Sequence, residues 1–256
     1  MLTIIKIGGN VINDNSTLRE FLWQFKEYPG NKILVHGGGK EATELSKKLG
    51  VPTQMIDGRR ITDHATLDIV TMVYAGLINK RIVSLLQDVG CNALGLSGAD
   101  GHVIPAKRRN PVPIDYGYVG DILTDRINTT LLLSLLAQDI TPVICAICHQ
   151  PNGSLLNCNA DSVASAIALA FKRLETVNLI YCFEKPGVLA DQNDDTSVIP
   201  FITPQNFDNL CARGIISGGM LPKLSNALNA VNEGVAKVRI CKAEDLLKDS
   251  GTIIAL

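Results

Sequence analysis

Ile4-Ile5-Lys6-Ile7-Gly8-Gly9-Asn10 stands at the head of the chain, and Val35-His36-Gly37-Gly38-Gly39 follows some thirty positions later. In each, an apolar run reads as a buried strand and the glycines read as the turn that leaves it. A turn without Cβ atoms lets backbone N–H groups converge on an anion, and a lysine at the strand end adds a full positive charge. Three successive glycines between a strand and a helix are costly in backbone entropy unless the turn needs positive φ or close ligand approach. Gly218-Gly219-Met220-Leu221-Pro222-Lys223 adds a further glycine pair and a second lysine near the other end. The three stretches together point to a site for a polyanionic phosphate, built from both ends of the chain.

Outward from these turns the pattern alternates strand and helix. Asn13-Asp14-Asn15-Ser16 offers N-cap residues for a helix through Leu18, Phe21, Leu22 and Phe25. The spacing predicts helices over 41–49, 64–89, 128–137, 160–173, 204–213 and 222–233. Strands are expected over 2–7, 32–36, 178–181, 236–240 and 252–254, and one β-branched strand over 141–148. Residues 95–101 and 112–119, rich in Gly, Pro and Tyr, suit short antiparallel strands. Pro151-Asn152-Gly153-Ser154 reads as a hairpin turn. The alternation predicts an α/β protein, with a mainly parallel sheet covered on both faces. A change of lobe is expected near residue 175, with the sheet running on across it.

At 256 residues the chain is long enough for one large or two modest domains with a real core. Its 46% hydrophobic and 19% charged content fits a compact α/β protein, and a net charge of −1 leaves no electrostatic footprint for nucleic acid or an acidic membrane. No basic and apolar leader precedes the first strand, and no apolar run reaches the roughly 18–20 residues of a membrane span. Seven cysteines, an odd number, argue against a closed disulfide framework. The expectation is a cytoplasmic protein with reduced thiols that acts on a small molecule.

Several motifs are set aside on chemical grounds. No Gly-Lys-Ser/Thr closes a Walker A loop, and no G-x-G-x-x-G is present in a dinucleotide context. Cys145-Ala146-Ile147-Cys148-His149 matches a haem-attachment spacing but lies in an apolar strand, where residues three apart face opposite ways. Asp191-Gln192-Asn193-Asp194-Asp195 lacks the glycine and glutamate of an EF-hand and reads as a solvated loop. His36 reads as a hydrogen-bonded structural histidine rather than a base. In Asn157-Cys158-Asn159-Ala160-Asp161, the aspartate is either a first-turn carboxylate favoured by the helix dipole or part of a polar cluster that holds a ligand and orients lysines.

Lys6-Ile7-Gly8-Gly9, His36-Gly37-Gly38-Gly39, Gly58-Arg59-Arg60-Ile61-Thr62, Asn157-Cys158-Asn159-Ala160-Asp161 and Gly218-Gly219-Met220-Leu221-Pro222-Lys223 occur in this order. The chain thereby resembles the amino-acid kinase family over its whole length, most of all the members that act on N-acetyl-L-glutamate. The resemblance implies a three-layer αβα sandwich around a central, mostly parallel sheet. It implies an acylglutamate-binding and dimerising lobe over 1–174 and an ATP-binding lobe over 175–256. It also implies transfer of the γ-phosphoryl of ATP to the substrate's side-chain carboxylate, in arginine biosynthesis. Carried over residue by residue, Lys6 and Lys223 would stabilise the moving phosphoryl group, with Asp161 between them. Gly9, Gly37 and Gly38 would donate backbone N–H groups, Arg60 would clamp the α-carboxylate, and Asn157 and Asn159 would contact the substrate. Gly8, Glu184, Lys185, Gly187, Val188 and Leu189 would lie on the nucleotide side, joined by Ile215, Ile216, Ser217, Gly218 and Gly219. Mg2+ would ride mainly on the ATP phosphates.

Two departures qualify the resemblance. The family's nucleotide strand usually ends in Thr or Ser followed by Asp-Val, where this chain has Phe183-Glu184-Lys185, which puts the adenine-side contacts in doubt. The extra N-terminal helix of the arginine-inhibited hexamers is missing, which implies an arginine-insensitive homodimer. Alternatives left open are same-fold kinases for N-succinylglutamate, an aminoadipate derivative, aspartate or carbamate, and a non-catalytic sensor, against which both lysines and Asp161 argue.

Overall fold

Leu2–Ile7 forms the central strand, and all six of its residues are buried. Burial of both alternating sets means that both faces of the strand are covered, the signature of a parallel sheet with helices on either side. The computed structural model describes residues 1–56, 58–216 and 220–256.

In chain order, β1 (Leu2–Ile7) leads to α1 (Gly9–Asn13), α2 (Asn15–Glu27), β2 (Asn31–His36) and α3 (Gly39–Lys48). The short pair β3 (Met55–Ile56) and β4 (Arg59–Arg60) precedes α4 (His64–Thr71), a π-helical stretch Met72–Ile78 and α5 (Asn79–Asp88). Then come β5 (Ala93–Leu96), β6 (Ala106–Arg108), β7 (Gly120–Ile122) and α6 (Thr129–Leu136). They are followed by β8 (Thr141–Cys145), β9 (Ile147–His149), β10 (Leu155–Asn157) and α7 (Ala160–Phe171). The last third holds β11 (Val177–Phe183), β12 (Phe201–Ile202), α8 (Pro204–Ala212), α9 (Met220–Asn232), β13 (Lys237–Lys242) and β14 (Thr252–Ile254).

Eight strands make one sheet in the order β12-β14-β13-β11-β1-β2-β8-β5. Every pairing in it is parallel except β13 with β14. In register, Ile7 lies beside His36 and Cys182, and His36 beside Cys145. The carboxyl ends of β1, β2, β8 and β11 therefore share one sheet edge, where open α/β sheets bind ligands. The α7 helix packs over β1, β2 and β11, with α9 against it.

The expected elements form with four corrections. Residues 95–101 do not make an antiparallel strand: β5 is the parallel edge of the main sheet, and a 3₁₀ turn follows. Residues 112–119 form no strand either, and the antiparallel pair is β6 with β7 on either side of them. The expected single strand over 141–148 breaks at Ala146, because Ile147–His149 leaves the sheet to pair with β10. Cys145 and Cys148 are nonetheless core, both fully buried, and burial pushes the Cys145 thiol up to about 12. Finally, the 25-residue helical span His64–Asp88 is long and apolar enough by composition to cross a membrane, which the reading of apolar runs missed. Here its Val70, Val73, Ile78, Ile82 and Leu86 are buried in the protein core.

Candidate active site

Lys6 is buried within β1, so its ammonium needs a partner. The Asp161 carboxylate supplies one, with Nζ 2.7 Å from Oδ1. Asp161 is the second residue of α7, placed by Asn159, whose Oδ1 accepts from the N–H of Asp161 (2.8 Å) and of Ser162 (3.1 Å). A carboxylate at a helix N-terminus also suits the dipole. Among the described residues Oδ1 makes no aligned hydrogen bond, so its contact with Lys6 is chiefly Coulombic.

The second lysine reaches the same place from α9. The Nζ of Lys223 lies 3.8 Å from the centroid of the Phe183 ring, and that of Lys6 lies 4.7 Å from it. Burial lowers the pKa of Lys223, opposed by the Asp161 charge and reinforced by Lys6. Glu184, the next residue after β11, accepts from the Asn10 amide at 3.1 Å.

A cavity of about 580 Å³ opens beside this cluster, lined among others by Lys6, Gly9, Gly37, Arg60, Asn157 and Asn159. Arg60 donates to the Gly39 carbonyl and the Thr43 hydroxyl, both at 2.8 Å, and to the Thr53 hydroxyl at 3.2 Å. Among the described residues no carboxylate lies within ion-pair distance of it. A largely buried guanidinium held, among the described residues, by neutral oxygens leaves charge for an anion in the cavity to satisfy. Asn157 donates to the Thr62 hydroxyl at 3.0 Å, which itself donates to the Arg60 carbonyl. Arginine, threonine and asparagine thus form one connected wall.

The glycine turns act by absence of bulk. A Cβ at Gly38 would sit 2.3 Å from the Ile78 side chain and 2.9 Å from the Tyr74 ring. The π-helical stretch that carries Tyr74 therefore packs directly on the turn, and burial raises the Tyr74 pKa. His36 is a structural residue: its Nδ1 lies 2.8 Å from the Gly37 carbonyl, and Asn79 donates to its Nε2 at 3.0 Å. Burial lowers its pKa to about 4, so it is neutral near pH 7.

The remaining nucleotide-side residues lie apart from the cavity. The Lys185 ammonium pairs with Asp195 at 2.7 Å on the surface. Gly187 allows close packing on Thr252 and Val198, the Val188 N–H donates to the Thr252 hydroxyl at 2.8 Å, and Leu189 bridges to Val198. Ile215 and Ile216 fold back onto the Leu210 carbonyl. Gly8 stands against the Phe183 ring. Ser217, Gly218 and Gly219 fall outside the described residues.

Residue patterns did not single out Tyr74, Thr43, Thr53 or Asn79, which are common residue types on helices and loops with no local signature. Phe183 was legible only as a doubt about adenine contacts, whereas its ring lies against the two lysines.

The chain resembles known proteins over nearly its whole length. Residues 1–242 match the sequence profile of the amino acid kinase family. The chain is 50% identical to a protein named acetylglutamate kinase from Phocaeicola vulgatus, covering 99% of this chain and 98% of that one. It is 52% identical to the protein of the same name from Cytophaga hutchinsonii, over 96% of this chain and 93% of the relative. A crystal structure from Streptococcus mutans superimposes with a TM-score of 0.83 at 27% identity, covering 99% of this chain and 98% of the other.

Proposed function

The chain belongs to the amino acid kinase family, and from that premise we propose that it transfers the γ-phosphoryl of ATP to the side-chain carboxylate of N-acetyl-L-glutamate. The product is an acyl phosphate, formed in the second step of arginine biosynthesis. One juxtaposition carries the reading: a single cavity has Arg60, without a carboxylate partner among the described residues, and Lys6, with its Asp161 counter-ion, on its walls. The first suits an α-carboxylate, and the second suits the charge of a phosphoryl group in flight.

We assign the roles from the resemblance together with the walls of the cavity. Arg60 anchors the α-carboxylate, and Asn157 and Asn159 meet the N-acyl side. Gly9, Gly37 and Gly38 present backbone N–H groups to the acceptor carboxylate and the incoming phosphoryl. Lys6 and Lys223 neutralise charge that spreads over the equatorial oxygens, a reaction that depends on positioning and electrostatics more than covalent chemistry. Asp161 keeps Lys6 in place. Gly8, Glu184, Lys185, Gly187, Val188, Leu189, Ile215, Ile216, Ser217, Gly218 and Gly219 are assigned to the nucleotide side, with ATP held by the lobe from residue 175 onward.

Among the described residues no group of three or more His, Cys, Asp or Glu side chains is placed to hold a metal ion. Asp161 is already committed to Lys6. We assign magnesium to the ATP phosphates, where it would keep its own water. All seven cysteines are free thiols, in keeping with a reducing cytoplasm.

The test is a hydroxylamine trap for acyl phosphate with ATP, Mg2+ and a panel of N-acyl amino acids. Hydroxamate should form with N-acetylglutamate; no product with any acylglutamate would reject the activity. The assembly is assigned as a homodimer, to be read by sedimentation velocity, where a monomer or hexamer would overturn it.

A further inference from the structure

Two ammonium groups at one sheet edge repel each other, and Asp161 makes an ion pair with only one of them, Lys6. Among the described residues Lys223 has no ion-pair partner, and burial works against its charged form. What faces it instead is an aromatic ring. Its Nζ sits 3.8 Å from the Phe183 centroid and the Lys6 Nζ 4.7 Å from it, both inside the roughly 6 Å reach of a cation–π contact.

That ring is held firmly. Phe183 is only 8% exposed and ends β11, just after the Cys182 carbonyl accepts from the Gly8 N–H at 2.9 Å. The ring stacks on Tyr181 with centroids 6.3 Å apart and an interplanar angle of 18°. On another side it closes on Gly8, where a Cβ would come within 3.2 Å of its edge.

We propose that Phe183 is a positioning residue for phosphoryl transfer, whose π face gathers Lys6 and Lys223 as charged ammonium groups at the carboxyl edge of the sheet. The inference rests on the roles given to the two lysines above. The groups that act on Lys223 are Asp161 from α7 and Glu184 after β11, which favour its charge, and Lys6 from β1, which opposes it. The negative face of the ring sides with the carboxylates. An aliphatic residue of equal bulk would bury the ammonium without that compensation. Phe183, which stands where the resemblance leads one to expect Thr or Ser, is then a functional feature of the lysine site and not an adenine contact.

The test keeps the ring's shape and drains its quadrupole. In the full-length enzyme, Phe183 is replaced by 4-fluoro-, 3,5-difluoro- and 3,4,5-trifluorophenylalanine, with Phe183→Leu as the fully aliphatic end point. We expect kcat for hydroxamate formation to fall step by step with fluorination, by about tenfold at the trifluoro residue. The KM for the acylglutamate should stay constant, and the alkaline limb of the kcat profile should move to lower pH as Lys223 loses support for its charge. Equal melting temperatures along the fluorinated series would exclude a folding effect. A second readout does not need turnover: the Lys223 ammonium, titrated by nitrogen-detected NMR, should show a pKa that drops with each added fluorine. A flat kcat and an unmoved titration across the series would overturn the inference and leave Phe183 as packing. Failure of the wild-type enzyme to phosphorylate any acid in the panel would instead reject the proposed activity, while the NMR titration still judges the ring.

Discussion

Replacing Arg60 by alanine removes a guanidinium that three neutral oxygens, from Gly39, Thr43 and Thr53, hold at the cavity wall. Those oxygens orient the side chain, and among the described residues no carboxylate neutralises it, which leaves its charge for a ligand. A charge-assisted bidentate contact is worth roughly 2–3 kcal/mol. Arg60→Ala is therefore expected to raise the KM for the acylglutamate by about 30- to 150-fold while leaving the KM for ATP near wild type. A change confined to ATP would place Arg60 on the wrong substrate. His36 makes a different kind of statement, about pH and stability. Burial lowers its folded pKa to about 4 from the ordinary histidine value of 6.5. The unfolded chain thus takes up a proton that the folded protein refuses. Stability is complete above pH 6.5, declines as pH falls toward 4, and loses about 3 kcal/mol over that window. Urea melts at pH 7 and pH 4.5 should show this loss in the wild type and a smaller one in His36→Asn. Equal losses would assign the acid sensitivity to carboxylates.

At the scale of elements, α7 shows how one side chain links fold to site. Asn159 caps the helix through the N–H groups of Asp161 and Ser162, and the cap fixes the residue that pairs with Lys6. Asn159→Ala is expected to cost about 1 kcal/mol, lowering Tm by roughly 2–4 °C, and to reduce kcat through a less constrained Asp161. Differential scanning calorimetry checks the first effect and the hydroxamate assay the second. Asn159→Ser, which restores a capping oxygen, should recover the Tm; an alanine variant that melts like wild type would refute the capping role. The start of α7 was legible in the sequence because an asparagine, a carboxylate and a small-residue run occur together there. So were β1 and β2, whose apolar runs end in glycine. Other elements carried no such signal. The π-helical stretch Met72–Ile78 packs Tyr74 and Ile78 on Gly38, a tertiary contact that the local helical period does not encode. The break at Ala146 is set by β10, a partner that local β-propensity at 141–148 cannot anticipate. Residues 112–119 have strand-like composition, yet the segment's backbone bonds go to Thr62, Arg109 and Asn157, outside any ladder.

On the scale of the whole molecule, the central question is whether the two lobes assigned to 1–174 and 175–256 behave as separate bodies. The sheet argues that they do not. β1 from the first lobe and β11 from the second pair in parallel over six registered residues, from Leu2 with Val177 to Ile7 with Cys182. α7, from the first lobe, packs on both of those strands and on α9 of the second. The apolar core is likewise one cluster, running from Leu2 and Phe21 through Ile144 and Phe171 to Ile240 and Ile254. Opening one lobe would expose β1 or β11 along a fully buried edge, so the two are expected to unfold together. The expected result is a single denaturant transition, coincident by far-UV circular dichroism and by hydrogen exchange of β2 and β13 amides. A ligand that binds only the first lobe should then protect β13 amides as much as those of β2, since both report the same global opening. Two transitions, or protection confined to the ligand's own lobe, would instead make residue 175 a true domain boundary. In that case the meeting of Lys6, Asp161 and Lys223 would depend on lobe closure, whereas a shared cooperative unit holds the three groups together before either substrate arrives.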